Sequence, residues 1–428
     1  MKKKKQKVLL NLILIGLLVL NFSIDFLGDK ETDIEGKTFS TFQSDSEYLV
    51  FSKIFQKKYN LETNHYGLLE AVNKDNERIE NIFNKINYYE LQDEQIIIKD
   101  YASQYGLQGH VFSFLYNKFN IPFWGLKAIC CILLAIIIVA ICIFINKKYN
   151  KLMAIIFYIT FLLSPWVVAF ARNLYWVEFT WFLPVLFGLI LSIYTEKKKI
   201  LIPCIFLSIF IKCLCGYEYI TSIMMMTVSF FVIDFVIAKD KKKRKEALKI
   251  SLVVGIVCLL AFAMALCVHA TLRGEGDILE GLKSIYKTDV LRRTIIVSDN
   301  VEFPEVYKKS LEAGVIETVL KYFNWHTDII LGINGQYFKI IITLTAVIII
   351  YNILNKNKNC YRDLIMFIIF FITSISWYIL GKSHSYIHTT MNYVLWYFGF
   401  IQICFYIIIQ FIMRTIYNFT HMKSIDLT

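Results

Sequence analysis

Two carboxylates two residues apart, Asp45 and Glu47 in the segment SDSEYLV, are the strongest candidates for acid or base chemistry in this chain. A carboxylate held against a hydroxyl can take its proton as a new bond forms. The same residues also suit the start of a helix, where Ser44 or Asp45 would accept from unpaired N–H groups and acids favour the positive end of the dipole. A second group is His384 and His388 in GKSHSYIHTT, four apart and so on one face if helical. The pair could bind zinc, but HSYIH lacks the glutamate of the metalloprotease motif and has no evident third ligand. Hydrogen-bond donors among aromatics, or interfacial histidines in an aromatic belt, are the other readings. Glu178 in NLYWVEFTW and Glu218 in GYEYITS lie within or beside apolar stretches, where an ionisable group is costly and needs a partner. Arg172 is a possible mate for Glu178, and Lys212 for Glu218.

The elements that must hold these groups are apolar. Of the 428 residues, 57% are hydrophobic, and the mean hydropathy of +0.52 is more than one compact soluble core could carry. Apolar runs at roughly 8–24, 123–145, 152–170, 174–195, 200–215, 218–238, 248–270, 335–354, 363–380 and 393–413 predict an all-α polytopic membrane protein with about ten spans. No small-residue cleavage site follows the first run, so it reads as an uncleaved helix. The net charge of +12 comes from lysine runs between these stretches, which is membrane topology and not a nucleic-acid footprint. The ten cysteines fall mostly inside apolar runs and read as small hydrophobes.

Lys147 to Lys151, Lys197 to Lys199, Lys239 to Lys245 and Lys356 to Arg362 fall on the same side as the basic N-terminal tail, which predicts both termini in the cytoplasm of a multi-pass cell-membrane protein. Two long segments, about 25–122 and 271–334, then face outward from a single membrane domain, 1–428. The first contains EYLVFSKIFQKKY and GLQGHVFSFLYNKF, whose apolar positions recur at helical spacing and predict interfacial helices. Arg172, Lys212, Arg273, Arg292, Arg293 and Lys382 map to outer helix ends or loops, where cations either snorkel or serve a function.

This layout resembles the GT-C superfamily of polyprenyl-phosphate-dependent membrane glycosyltransferases, which includes the protein O-mannosyltransferases and the aminoarabinose transferase of lipid A. SDSEYLV stands where those proteins carry an acidic motif early in a long first outer loop, and YASQYGLQGHVFSFLY looks like their second juxtamembrane element. Here Asp-Ser-Glu replaces the adjacent Asp-Glu of the mannosyltransferases. The resemblance implies an inverting transfer of a sugar from a polyprenyl-phosphate carrier to a glycan, lipid or protein acceptor on the extracytoplasmic face. Asp45 would be the general base, with Glu47 beside it. The departing phosphate would need cations or donors, drawn from Arg172, Lys212, Arg273, Arg292, Arg293, Lys382, His384 and His388, with Glu218 in the substrate site. No cofactor is certain; some members use a divalent cation such as Mg or Mn, which Asp45 and Glu47 could coordinate. The Ile-, Lys-, Asn- and Tyr-rich composition hints at a bacterial source and an undecaprenyl carrier.

Two other classes fit a chain of many spans. O-antigen-type polymerases or ligases carry outer arginines and histidines, but their large loop falls near the middle or end of the chain. A transporter or flippase of lipid-linked sugars calls for ionisable or helix-breaking residues near the midplane and for repeat symmetry, which is not evident here.

Overall fold

The computed structural model describes residues 2–26, 44–61, 65–79, 82, 86, 96–291, 305–324, 328–387 and 391–425. Among these, seven helices are long and apolar enough to cross a membrane: α1 (Lys2–Ile24), α4 (Phe123–Lys148), α9 (Ile220–Ile237), α10 (Lys241–Arg273), α14 (Gly335–Leu354), α15 (Cys360–Leu380) and α17 (Phe400–Ile425). Runs of Ile, Leu, Val and Phe make them, since a segment that satisfies its own backbone hydrogen bonds is the stable form in lipid. The chain is an all-α membrane protein with few, short strands.

The other apolar stretches are also helical, but they depart from simple spans. The stretch expected at 152–170 is two helices, α5 (Lys151–Leu162) and α6 (Pro165–Ala171), bent by 67°. Ser164 causes the break by capping α6, its hydroxyl accepting from the Val167 N–H at 3.0 Å, with Pro165 at the first helical position. The stretch expected at 174–195 becomes helical only at α7 (Phe179–Ile193), because the chain is a tight turn before it. α8 (Lys198–Cys215) carries three lysines, Lys198, Lys199 and Lys212, on its 18 residues. With the bent pair counted as one, eight segments meet the length and composition of a span.

Of the first long segment, the structure describes two helices and a hairpin. α2 (Ser44–Lys58) packs on α3 (Leu107–Phe119) and on β1 (Leu69–Val72), which pairs antiparallel with β2 (Ile97–Asp100) in the register Leu69↔Asp100. The hairpin has no counterpart in the periodicity of the sequence. α2 also differs from the expected surface helix, because residues 47–56 are all buried. It is a helix enclosed by protein, whereas α3 exposes Val111, Phe114 and Phe119. A side chain at Gly109 would overlap the Gly67 carbonyl, so glycine is what lets the strand lead-in cross the start of α3.

In the second long segment, α11 (Ile278–Ile285) folds back on α10. α12 (Glu305–Glu312), α13 (Val315–Phe323) and the short pair β3 (Asp328–Ile330) and β4 (Ile333–Asn334) lead into α14. α16 (Lys382–Ile387) follows α15. The packed interior is continuous from α4 through α7 and α9 to α15 and α17.

Candidate functional site

Residues 172–178, between α6 and α7, join the first long segment to the helical bundle. Asn173 is buried and shapes the turn: its Oδ1 accepts from the N–H groups of Tyr175 at 2.9 Å and Trp176 at 3.2 Å, and its Nδ2 donates to Ser46 Oγ at 3.1 Å. The Leu174 N–H donates to Glu47 Oε1 at 2.9 Å, while Lys127, one turn into α4, donates to Glu47 Oε2 at 2.6 Å. Arg172 donates to the Ser23 carbonyl at the end of α1, at 3.1 Å, and its charge acts on Glu47. The start of α2 is therefore tied to α1, α4 and the turn together.

Glu47 is 2% exposed and both its oxygens are engaged. Burial pushes its carboxyl above the usual range, while Lys127, the Leu174 N–H and Arg172 pull it back. Glu47 is thus a clamp that fixes the first turn of α2. Asp45 occupies that same turn, and its side chain lies outside the described residues. Lys127 is absent from the sequence-derived site, though a lone lysine inside the start of an apolar run was a legible signal. Lys127→Met is expected to destabilise the protein by about 3 kcal/mol, since it leaves a buried carboxylate without its cation. Thermal unfolding in detergent checks this.

The other end of the turn carries Glu178, fully buried at the N-cap position of α7. Among the described residues neither of its oxygens has a hydrogen-bond partner, so the expected Arg172–Glu178 pair does not form; Arg172 turns toward Ser23 and Glu47 instead. Near it is a ring cluster with one stacked pair, the other two contacts to Tyr219 being edge-on. Trp176 lies 5.9 Å from Tyr219 at 13° between planes, Trp181 is 5.1 Å and Trp377 5.7 Å from Tyr219. The Glu178 carboxyl is within electrostatic reach of Tyr219. The Tyr219 hydroxyl and the indole N–H groups of Trp176, Trp181 and Trp377 are likewise buried without partners. Each such group costs about 1–3 kcal/mol if left unmade, and native interiors rarely tolerate several together. Val177 (φ +41°) and Tyr219 (φ +62°) are both held in the left-handed region, a cost that tends to be kept at functional sites. Carboxyl acceptor, ring donors and flat aromatic walls are what a polyhydroxylated ring takes: stacking on its apolar face and hydrogen bonds at its edge.

Glu218 adjoins this cluster. Its Oε1 is 3.5 Å from Gln104 Nε2 and 3.4 Å from the Tyr175 hydroxyl. The expected Lys212–Glu218 contact is replaced by one from Lys212 Nζ to the Gly216 carbonyl at 2.6 Å, although the two charges still act on each other. A side chain at Gly216 would overlap Gln104 and Glu218. Gly216→Ala is therefore expected to displace both and to lower stability by about 1–3 kcal/mol through overpacking; a lower thermal midpoint with unchanged expression is the readout.

The remaining expected cations are committed elsewhere or lie outside the described residues. Arg273 is ion-paired with Asp289 and donates to the Ala102 carbonyl at 2.8 Å and to Ser284 Oγ at 3.0 Å. With His269, whose Nε2 is 3.1 Å from the same carbonyl, it fastens the end of α10 over the 101–104 segment. Lys382 donates to the Leu311 carbonyl at 2.8 Å, and His384 sits on α16 beside it. Neither Arg273 nor Lys382 faces the 172–178 turn through any of these bonds. Arg292, Arg293 and His388 lie outside the described residues.

Of the acidic pair, only the Glu47 side chain lies among the described residues. Glu47 already accepts from an ammonium and an amide N–H, and among the described residues no three His, Cys, Asp or Glu side chains form a metal-binding group. The fold and site together define a helical membrane protein with a buried cluster of polar and aromatic side chains at the 172–178 turn. Comparison with protein-family models, curated proteins and solved structures finds no match.

Proposed function

We propose that this protein is an inverting membrane glycosyltransferase that moves a sugar from a polyprenyl-phosphate carrier to an acceptor on the extracytoplasmic face, with both termini in the cytoplasm. One observation carries the reading: a single turn, 172–178, has the acidic start of α2 bound at one end and the orphaned Glu178, walled by Trp176, Trp181 and Tyr219, at the other. The turn thus links the helix start that carries Asp45 to the buried carboxyl of Glu178, which supports the reading.

In this reading Asp45 takes the proton of the acceptor hydroxyl as its oxygen attacks the anomeric carbon. The bond from that carbon to the phosphate oxygen breaks with inversion, and the lipid leaves as a phosphate monoester. Its charge grows as it leaves, so fixed cations stabilise the transition state more than the ground state. Arg172 and Lys127 stand beside the first turn of α2 and are the cations best placed for this role. Glu47 is a positioning residue, holding the turn that carries Asp45. Glu178 accepts from sugar hydroxyls while the rings stack on the sugar face.

Reconstitution into liposomes with polyprenyl-phosphate sugars extracted from membranes, followed by mass spectrometry of lipids and acceptors, tests the proposal. Loss of the sugar from the lipid with its gain by an acceptor is the expected result. Glu178 also favours a second reading, movement of an intact lipid-linked sugar, because buried carboxyls mark transport pathways. In that case the sugar would cross the bilayer still attached to its phosphate.

A further inference from the structure

A cavity of about 510 Å³ lies between α2 and α3, away from the 172–178 turn. Its charged lining is entirely basic or imidazole: Lys53 and Lys57 from α2, His65 from the lead-in to β1, His110 and Lys118 from α3. Lys53 is 7% exposed, yet among the described residues it makes no hydrogen bond or ion pair, and neither do Lys57 and Lys118. The acid whose charge reaches Lys53 is Asp100 on β2. Burial and the Lys57 charge depress the Lys53 ammonium, and burial with the Lys53 charge lowers His110 to about 4. A buried, unpaired ammonium is held at a cost that an incoming anion would relieve. Ser113 and Asn117 complete the lining with neutral polar groups, and Asn117 Nδ2 is already oriented by the Ser113 carbonyl at 2.9 Å.

The position of this cavity indicates where the anion comes from. α3 ends at Phe119, and only three residues separate it from α4, which is long and apolar enough to span. The lining includes Phe114, 56% exposed and edge-on to Phe119, and α3 and the first turn of α4 also expose Val111, Phe119 and Trp124. Exposed aromatics at the entry to a span belong at the headgroup level of a bilayer. The lysines therefore stand where lipid phosphates lie.

We propose that the α2–α3 cavity binds the phosphate of a membrane lipid, with Lys53, Lys57 and Lys118 as its cations and Phe114 against the start of the lipid chain. The site is independent of the reaction proposed above. Its test uses the purified full-length protein in a neutral detergent, with dioleoyl phosphatidic acid as probe and binding read by native mass spectrometry. Wild type is expected to prefer phosphatidic acid over dioleoyl phosphatidylcholine. The double variant K57Q/K118Q, altered only at exposed positions, is expected to bind the acidic lipid roughly 30-fold more weakly, at about 1 kcal/mol per lysine. Equal affinity of wild type and double variant would overturn the site. Inorganic phosphate that displaced the lipid at low millimolar concentration would overturn the lipid as source and assign the cavity to a free anion. K57R/K118R, which keeps the charges, is expected to bind as wild type does; loss in that variant would also count against the proposal.

Discussion

Glu178→Gln is expected to make the protein more stable and roughly 100-fold less active in sugar transfer. The two effects share one cause. Glu178 is fully buried, neither oxygen has a partner among the described residues, and Trp176, Trp181 and the nearby Tyr219 carry further buried polar atoms without partners there. Gln is nearly isosteric and carries no charge to desolvate, so the folded protein loses a cost. A ligand hydroxyl that bonded to the carboxylate loses a charge-assisted hydrogen bond worth about 1.5–3 kcal/mol. A purely structural residue would behave in the opposite way, since removing it would lower the thermal midpoint. Thermal unfolding and transfer rate measured on the same preparation separate the two cases, and a lower midpoint with full activity would remove Glu178 from the site.

Asp45→Asn is expected to reduce transfer by about two to four powers of ten while leaving the thermal midpoint within error of wild type. The contrast with its neighbour gives the prediction its force. Glu47 is held by Lys127 and the Leu174 N–H, so Glu47→Gln is expected to weaken folding, whereas position 45 lies in the same turn and carries the proposed proton acceptor. If Asp45 were only a helix cap, Asn would serve almost as well and activity would persist. The midpoint and the rate therefore assign different roles to two acids two residues apart.

Apolar run length made the helices legible in the sequence, because a long Ile-, Leu- and Phe-rich segment has few alternatives in lipid. The helical periodicity of EYLVFSKIFQKKY and GLQGHVFSFLYNKF likewise located α2 and α3. What the pattern does not carry is burial in three dimensions: α2 is enclosed on all sides, and periodicity cannot distinguish that from a helix resting on a membrane. The break at Ser164-Pro165 had its signal, a capping serine before a proline, within an otherwise uninterrupted apolar stretch.

The candidate site was half legible. Glu178 and Glu218 stand out because charge inside an apolar run is costly, but proximity in sequence does not give their hydrogen-bond partners, although the Lys212 and Glu218 charges do act on each other. Arg172 is six residues from Glu178 yet turns to Ser23, and Lys212 turns to the Gly216 carbonyl. Partners such as Lys127 for Glu47, or Trp176 and Trp377 for Tyr219, are separated by tens to hundreds of residues, and only the fold brings them together. The backbone strain at Val177 and Tyr219 is invisible to composition altogether.

The most direct test of sugar transfer is mass spectrometry of the polyprenyl-phosphate sugars and cell-surface glycans in cells that lack the protein, restored with either the wild-type chain or Asp45→Asn. One lipid-linked sugar should accumulate, and one glycan should lose that sugar, both in the null cells and in those carrying the Asn variant, with wild type reversing both. Unchanged lipid-linked sugars in the null cells, or full restoration by Asp45→Asn, would contradict the account.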